Sequence, residues 1–462
     1  MKKSVRVFTL VIAAALCISF SGCNNSSTAN KKEDSASEKV AEASFDLKGK
    51  TITIAVPDNS FIPQEDASVL SNNRSSKENS VMLDREKQAE RKFNCNIEWK
   101  EMDKDTRNNL LEKVKTGDIK ADIVYLERNS GIIDMILNKY ILPLDEYIDY
   151  SSQAYNNPIQ NNSLWKGQHY GVATFGSAKT LYNRLMSYNK TLIAEAGLPD
   201  PYELMQQGQW TWEEFLNICK KVTADTNGDG INDTWGMFTK NTNDVFYNFL
   251  YANNASYTKE SDDGKIEFAL ESNEAIEALQ FVSDIHNNYK IIQNTELTKA
   301  DEDLFMSGKA AFKWNSPVTD VKKDKPFEIG YVCYPKGPSA SDYISYANAG
   351  DFFAIPATAE DPKSIASVMS CLFSYFDSSQ SEFLTDDDVY ESSGMPENAI
   401  AVTKQIKEKI KYLWIDYDNT YRSLLRKIFD NILINNTPVN EAINTGKAEI
   451  INNLNTLNQA VQ

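Results

Sequence analysis

Between Thr51 and Leu126 two hydrophobic periodicities take turns, and this alternation restricts the fold more than any other feature of the chain. Thr51-Ile-Thr-Ile-Ala-Val56 is a short run rich in β-branched residues, and Asn96 to Glu101 and Ala121 to Leu126 also read as strands. The intervening segments, Ser80 to Phe93 and Thr106 to Lys115, carry apolar residues at helical spacing. Strands separated by helices cannot be joined by tight hairpins, so the pattern predicts βαβ crossovers and a parallel sheet in an α/β fold. Ligands of such sheets gather beyond the carboxyl ends of the strands. Asp58, just past the first strand, and Glu127 and Arg128, just past the third, are therefore candidate ligand-binding residues.

A chain of 462 residues can form two or three domains or one large bilobal body. Its formal net charge of −17 argues against nucleic acid as a partner, because phosphate binding needs clustered cations. The same charge repels anionic lipid, so membrane attachment requires something other than a basic face. Lys2, Lys3 and Arg6 form a basic start, followed by an apolar run from Val7 to Phe20 that is too short to span a bilayer comfortably. Phe20-Ser21-Gly22-Cys23 resembles the bacterial lipoprotein processing box, with Phe20 where leucine is preferred. The expectation is a lipoprotein signal peptide over 1–22, lipidation (a palmitate-bearing anchor) at Cys23, and a disordered polar tether over 23–45. The chain would then sit on the extracellular face of the cell membrane, held by the lipid alone.

Few residues offer catalytic chemistry. Histidine occurs only as His169 and His286, and no G-x-S-x-G, H-E-x-x-H, P-loop or G-x-G-x-x-G pattern is present. A hydrogen-bonded structural role is the expectation for His169. Beyond Cys17 and Cys23 there are Cys95, Cys219, Cys333 and Cys371, with no C-x-x-C spacing. An even number permits disulfides outside the cell, although Cys219 and Cys371 lie in apolar helical patterns that suit small buried hydrophobes.

The stretch Tyr188 to Phe238 is dense in local signals. A short amphipathic helix around Leu192 to Ala196 is followed by a Gly-Leu-Pro break, and Thr211 and Glu214 have capping-box spacing at the start of a helix over 211–223. That helix runs into an acidic loop in which Asp225, Asn227, Asp229, Ile231 and Asp233 fill the first, third, fifth, seventh and ninth places of a calcium-loop register. Gly230 falls at the sixth place, but the twelfth, normally a bidentate glutamate, is Gly236. A weak structural Ca2+ site, or an ion-free loop of Asx turns, is expected there. Aromatic residues at strand–loop junctions, Trp165, Tyr170, Trp314, Tyr346 and Phe352, could stack on sugar faces or simply fill core. Further strands are expected over 327–334 and 352–355 and a helix over 273–288, with the chain almost entirely helical beyond Pro362.

Set together, several of these segments resemble the extracellular solute-binding proteins of bacterial ABC importers, the sugar-binding family that includes maltose-binding protein. They are Tyr188-Asn189-Lys190, Ala196-Gly197-Leu198-Pro199, Trp210-Thr211-Trp212-Glu213-Glu214-Phe215, Met306-Ser307-Gly308-Lys309-Ala310-Ala311, Ile329-Gly330-Tyr331 with Pro335-Lys336-Gly337-Pro338, and Thr437-Pro438-Val439-Asn440-Glu441-Ala442. The resemblance implies an α/β, two-lobed periplasmic-binding-protein-like fold (type II) with a ligand cleft between lobes joined by a hinge. Lobe one would comprise 46–174 plus 350–377 and lobe two 178–345 plus 380–462, with crossings near 172–177, 346–350 and 375–379. It further implies ligand contacts from Trp314, Asn315, Tyr346, Asp351 and Tyr417. Val318 follows Pro317 where maltose-binding protein has a tryptophan, which departs from a maltose-like mode. The function implied is a monomeric, lipid-anchored receptor capturing a carbohydrate, an oligosaccharide, for the permease subunits of an ABC importer. A ligand-presenting partner of a membrane sensor and a secreted carboxylate-dependent glycoside hydrolase are the alternatives. In this setting Trp210 and Trp212 belong to packing rather than to the ligand.

Overall fold

The computed structural model describes residues 45–66, 76–127, 130–152, 154–155, 158–173, 185–240, 242–294, 303–314, 325–347, 351–374, 395–406, 409–412 and 419–459. All of them lie in one compact unit, Ser44–Gln462. Cys23, the tether up to residue 44 and the third crossing fall outside the described residues.

Lobe one opens with β1 (Lys50–Val56), α1 (Ser76–Phe93), β2 (Cys95–Glu101), α2 (Lys104–Asn108), α3 (Leu110–Thr116), β3 (Ile123–Leu126) and α4 (Ile132–Leu137). The single helix expected over 106–115 is two. Asn109 interrupts it, because its side-chain amide turns back to donate to the Asp105 carbonyl and carboxylate, a local bond that competes with the helical ladder.

Lobe two follows, with β4 (Met186–Asn189), α5 (Lys190–Glu195), α6 (Pro201–Gln206), α7 (Trp212–Val222), β5 (Trp235–Thr239), α8 (Thr242–Ala252), α9 (Asn273–Ser283), β6 (Ile292–Asn294), β7 (Ala310–Trp314) and β8 (Ile329–Val332). The helix expected over 273–288 is α-helical only to Ser283 and then widens into a π turn over Asp284–Asn288. Thr211 caps α7 through its hydroxyl, which accepts from the Glu214 amide at 3.4 Å. The chain continues through β9 (Ser345–Ala347) and β10 (Phe352–Ala354) into α10 (Pro362–Phe373), α11 (Glu397–Ile406), β11 (Ile410–Tyr412), α12 (Asn419–Leu433) and α13 (Val439–Gln459). β11 breaks the helical run expected beyond Pro362. It is held by a partner far back in the chain, since it pairs in parallel with β9.

Apart from two-stranded pairings such as β9 with β11, the strands sort into two main sheets, one per lobe. In lobe one the order is β10-β3-β1-β2, with β1, β2 and β3 parallel and β10 antiparallel on the edge. One face carries Ile52, Ile54, Val56, Ile123, Tyr125 and Phe353 against Met82, Ala89 and Phe93 of α1 and Ile365, Met369 and Phe373 of α10. The opposite face puts Ala55, Val124, Leu126 and Phe352 against Leu110, Val114, Ile133 and Met135. Helices on both faces explain why β3 and β10 are apolar throughout, whereas β2, at the other edge, alternates with polar residues. In lobe two the order is β6-β5-β7-β4-β8, and β4 alone runs antiparallel to its neighbours. Trp210, fully buried, sits in this core against Phe215 and Phe312, and Trp212 stacks on Phe281 at 4.3 Å.

The four cysteines beyond the amino-terminal segment are free thiols, three buried and Cys371 half-buried. Burial pushes the Cys95 thiol up to about 11, so it stays protonated at neutral pH. Among the described residues no helix is long and apolar enough to cross a membrane.

Candidate functional site

The connections between the lobes decide which edges of the sheets face one another. The first crossing departs after Ala173, where Val172 exchanges two backbone hydrogen bonds with Phe353 of β10 (2.8 and 3.0 Å). It arrives at Met186, which pairs with Trp314, the last residue of β7. The second runs from β9 to Asp351, immediately before β10. Both crossings thus join the edge where β1 and β3 end to the edge where β5 and β7 end. The backbone is tight here: a Cβ on Gly171 would lie 2.1 Å from the Phe352 ring and 2.3 Å from the Phe353 carbonyl.

Strand register assembles the lobe-one side. Ile54 pairs with Ile123 and Phe353 with Tyr125. Carried past the strand ends, the same offsets place Asp58, Glu127 and Asp351 in one row, on the face that bears Val56, Tyr125 and Phe353 one step below. The β1–β2 register, Val56 opposite Glu101, adds Asp103 to the row. Each strand of the sheet therefore presents one acidic residue at its cleft end.

The individual side chains are fixed differently. Asp58 accepts from the Ser60 amide at 2.8 Å and caps a short 3-10 turn over Asn59–Phe61. Asp103 caps α2 through the Thr106 amide at 2.7 Å, and the amide and hydroxyl of Thr106 hold its carboxyl below the ordinary range. Glu127 is about half exposed, with the Arg107 guanidinium 3.8 Å away. Asp351 accepts from the Tyr125 phenol at 3.0 Å. That phenol is pushed well above its usual value, first by burial, then by the charge and hydrogen bond of Asp351, then by Glu127 and Asp58. Phe61 leans on the Tyr125 ring at 4.4 Å and supplies an aromatic wall beside the acids.

On the lobe-two side Trp314 is half-buried at the end of β7 and packs on the core. The neighbouring Lys313 is buried, and its ammonium lies 3.0 Å from Asp303, which Lys240, one residue beyond β5, also approaches at 3.7 Å. Burial pushes the Asp303 carboxyl up, but the hydrogen bond and charge of Lys313, the Met306 amide and the charge of Lys240 outweigh it and hold it below the usual range. Arg128, Asn315 and Tyr417 lie outside the described residues, as does the side chain of Tyr346, whose backbone belongs to β9.

Of the predicted ligand residues, the structure gathers Asp58, Glu127 and Asp351 at one edge and sets Trp314 at the other. Asp103, Tyr125, Lys240, Lys313 and Asp303 are additional. Trp165 and Phe352 are core rather than rim, at 6% and 0% exposed. His169 has the structural role expected of it: its ring stacks on Tyr150 at 3.8 Å and its Nδ1 meets Asp145 at 2.8 Å.

The acidic loop is remote from these edges and bonded within itself. Asp225 accepts from the amides of Asn227, Gly228 and Gly230, Asn227 from Asp229, and Asp229 from Ile231. Asp233 accepts from the amide and hydroxyl of Thr226. These bonds hold the carboxyls of Asp225 and Asp233 below the ordinary range, so both are ionised and turned toward one loop. The twelfth place is closed to glutamate by packing, since a Cβ on Gly236 would lie 2.5 Å from that of Cys219. Among the described residues no group of three His, Cys, Asp or Glu side chains is gathered as a metal site. An ion here would depend on Asn227, the Ile231 carbonyl and water as well as the carboxylates.

The family model for bacterial extracellular solute-binding proteins matches residues 86–374. Among solved structures, an ABC substrate-binding protein from Listeria monocytogenes in complex with cycloalternan superposes with a TM-score of 0.59 at 15% identity, over 88% of this chain and 99% of that one. The GacH receptor of Streptomyces glaucescens, solved unliganded and with acarbose, gives a TM-score of 0.54 at 16% identity over 87% and 99%. UgpB from Mycobacterium tuberculosis in complex with glycerophosphocholine gives 0.56 at 16% over 88% and 98%. Identities this low speak for the fold alone.

Proposed function

The chain belongs to the bacterial extracellular solute-binding protein family, and on that premise we propose that it captures a carbohydrate, an oligosaccharide, between its lobes and delivers it to an ABC-type importer. As a member of that family it is a binding protein and not an enzyme. The row of Asp58, Glu127 and Asp351 carries the reading. Carboxylates beside an aromatic wall accept hydrogen bonds from sugar hydroxyls while the rings take the C–H faces, and Trp314 and Lys240 meet the ligand from the other edge. Two of the solved structures similar to this chain hold cycloalternan and acarbose, which supports a sugar as cargo. Contacts from both lobes make closure follow binding as a hinge motion.

A thermal-shift screen over cycloalternan, acarbose, neutral mono- and oligosaccharides and glycerophosphocholine tests this. At a hundredfold excess over Kd a ligand of the folded state adds about 2.7 kcal/mol, a rise of several degrees in melting temperature. A shift with glycerophosphocholine and none with any sugar would sink the carbohydrate reading.

The receptor is proposed to act as a monomer anchored through a lipid on Cys23, on the strength of the basic start, apolar run and processing box. Intact mass of membrane-extracted protein should show the processed, acylated chain, and an unmodified chain in the medium would refute it. A structural Ca2+ held by Asp225, Asn227, Asp229, Ile231 and Asp233 is proposed for the acidic loop. Calorimetric titration of the chelated protein should show binding at millimolar calcium that Asp225→Ala abolishes, and no heat at that concentration would exclude it.

A further inference from the structure

We propose that Tyr125 is a positioning residue of the cleft, one that aims the Asp351 carboxylate at the solute; this rests on the ligand reading of that edge. Tyr125 pairs with Phe353, so Asp351 is its diagonal neighbour on the same face of the sheet. A long aromatic side chain spans that diagonal, and the phenol donates to Asp351 Oδ2 at 3.0 Å. The ring is 3% exposed and clamped between Phe61 at 4.4 Å and Phe353 at 4.9 Å, so the donor has one place to be.

Asp351 needs such a hold because of its neighbours. The register, carried one or two residues past the strand ends, puts Glu127 opposite it and Asp58 beyond the end of the next strand, and like charges placed opposite one another repel. Arg107, 3.8 Å from Glu127 on a half-exposed side chain, relieves only part of this. That repulsion works to turn the carboxylate out of the row. The phenol pulls it back and stays protonated, because burial and the surrounding carboxylates oppose its ionisation. Phenylalanine would serve as well for packing; the hydroxyl acts on the carboxylate.

Tyr125→Phe in the full folded chain keeps the ring and removes the donor. The carboxyl carbon of Asp351, assigned by its loss in Asp351→Asn, is followed by NMR titration. A hydrogen bond to the charged form favours it, so its removal should raise the Asp351 midpoint. Affinity for cycloalternan and acarbose, measured by calorimetry, should fall about fivefold at pH 8, where the carboxylate is ionised in both proteins and only its aim is lost, and further at pH 5. The unliganded melting temperature should stay within about two degrees of wild type. An unchanged Asp351 midpoint overturns the proposal, as does an equal loss of affinity at both pH values accompanied by a lower melting temperature. Should wild type bind neither sugar, the carbohydrate reading fails while the Asp351 midpoint still decides the role of Tyr125.

Discussion

Trp210→Ala is expected to cost about 3–5 kcal/mol of unfolding free energy, the largest single loss foreseen in lobe two. The indole is fully buried, with Phe312 at 5.6 Å and Phe215 at 6.1 Å, and its Nε1 donates to the Cys333 carbonyl at 2.9 Å. Truncation therefore opens a cavity among rings that cannot collapse into it and leaves a buried acceptor without its donor. Trp210→Phe should cost less, about 1–3 kcal/mol, because it fills most of the space and forfeits the hydrogen bond. Urea unfolding followed by circular dichroism gives both values. Equal midpoints for wild type and Trp210→Ala would mean that this core is not what holds the lobe.

Lys313→Met should cost about 3 kcal/mol at pH 7, the low end for breaking a buried ion pair, because Lys240 remains as a second partner of Asp303. The sign of the pH dependence follows from the lowered Asp303 carboxyl. A group whose folded pKa is depressed contributes stability above its unfolded value, about 3.9, and loses it as pH falls through the folded value. Wild type and variant should therefore converge below about pH 4. Unfolding curves at pH 7 and pH 3.5 test this, and a difference that persists undiminished at the lower pH would locate the loss in packing instead.

Part of this site is legible in the sequence because strand ends are. Asp58 and Glu127 follow strand-like runs, and the carboxyl-edge rule needs only that the runs be parallel strands. Asp351 emerges only through its family resemblance, since nothing local marks the residue before an antiparallel edge strand. Asp103 is invisible until the β1–β2 offset is known, because a row across strands is a property of register and not of any one segment. Lys313 reads as an ordinary polar residue in a short strand; its burial depends on Asp303, which arrives from the preceding turn. The strand Ile410–Tyr412 is similarly opaque, being three residues that, among the described residues, pair with β9 alone. At the other extreme, Trp210 and Trp212 are assigned to packing from sequence and do pack.

The edge strand β10 has a consequence for how the chain assembles. Its hydrogen bonds close the open side of β3, yet Tyr125 and Asp351 are 226 residues apart. During vectorial synthesis the first lobe must therefore wait, its sheet unfinished at one margin, until the central strands of the second have been made. Folding is then coupled across the two halves by a single late segment. Such long-range closure is entropically slow and prolongs the time for which an unpaired strand margin stands open.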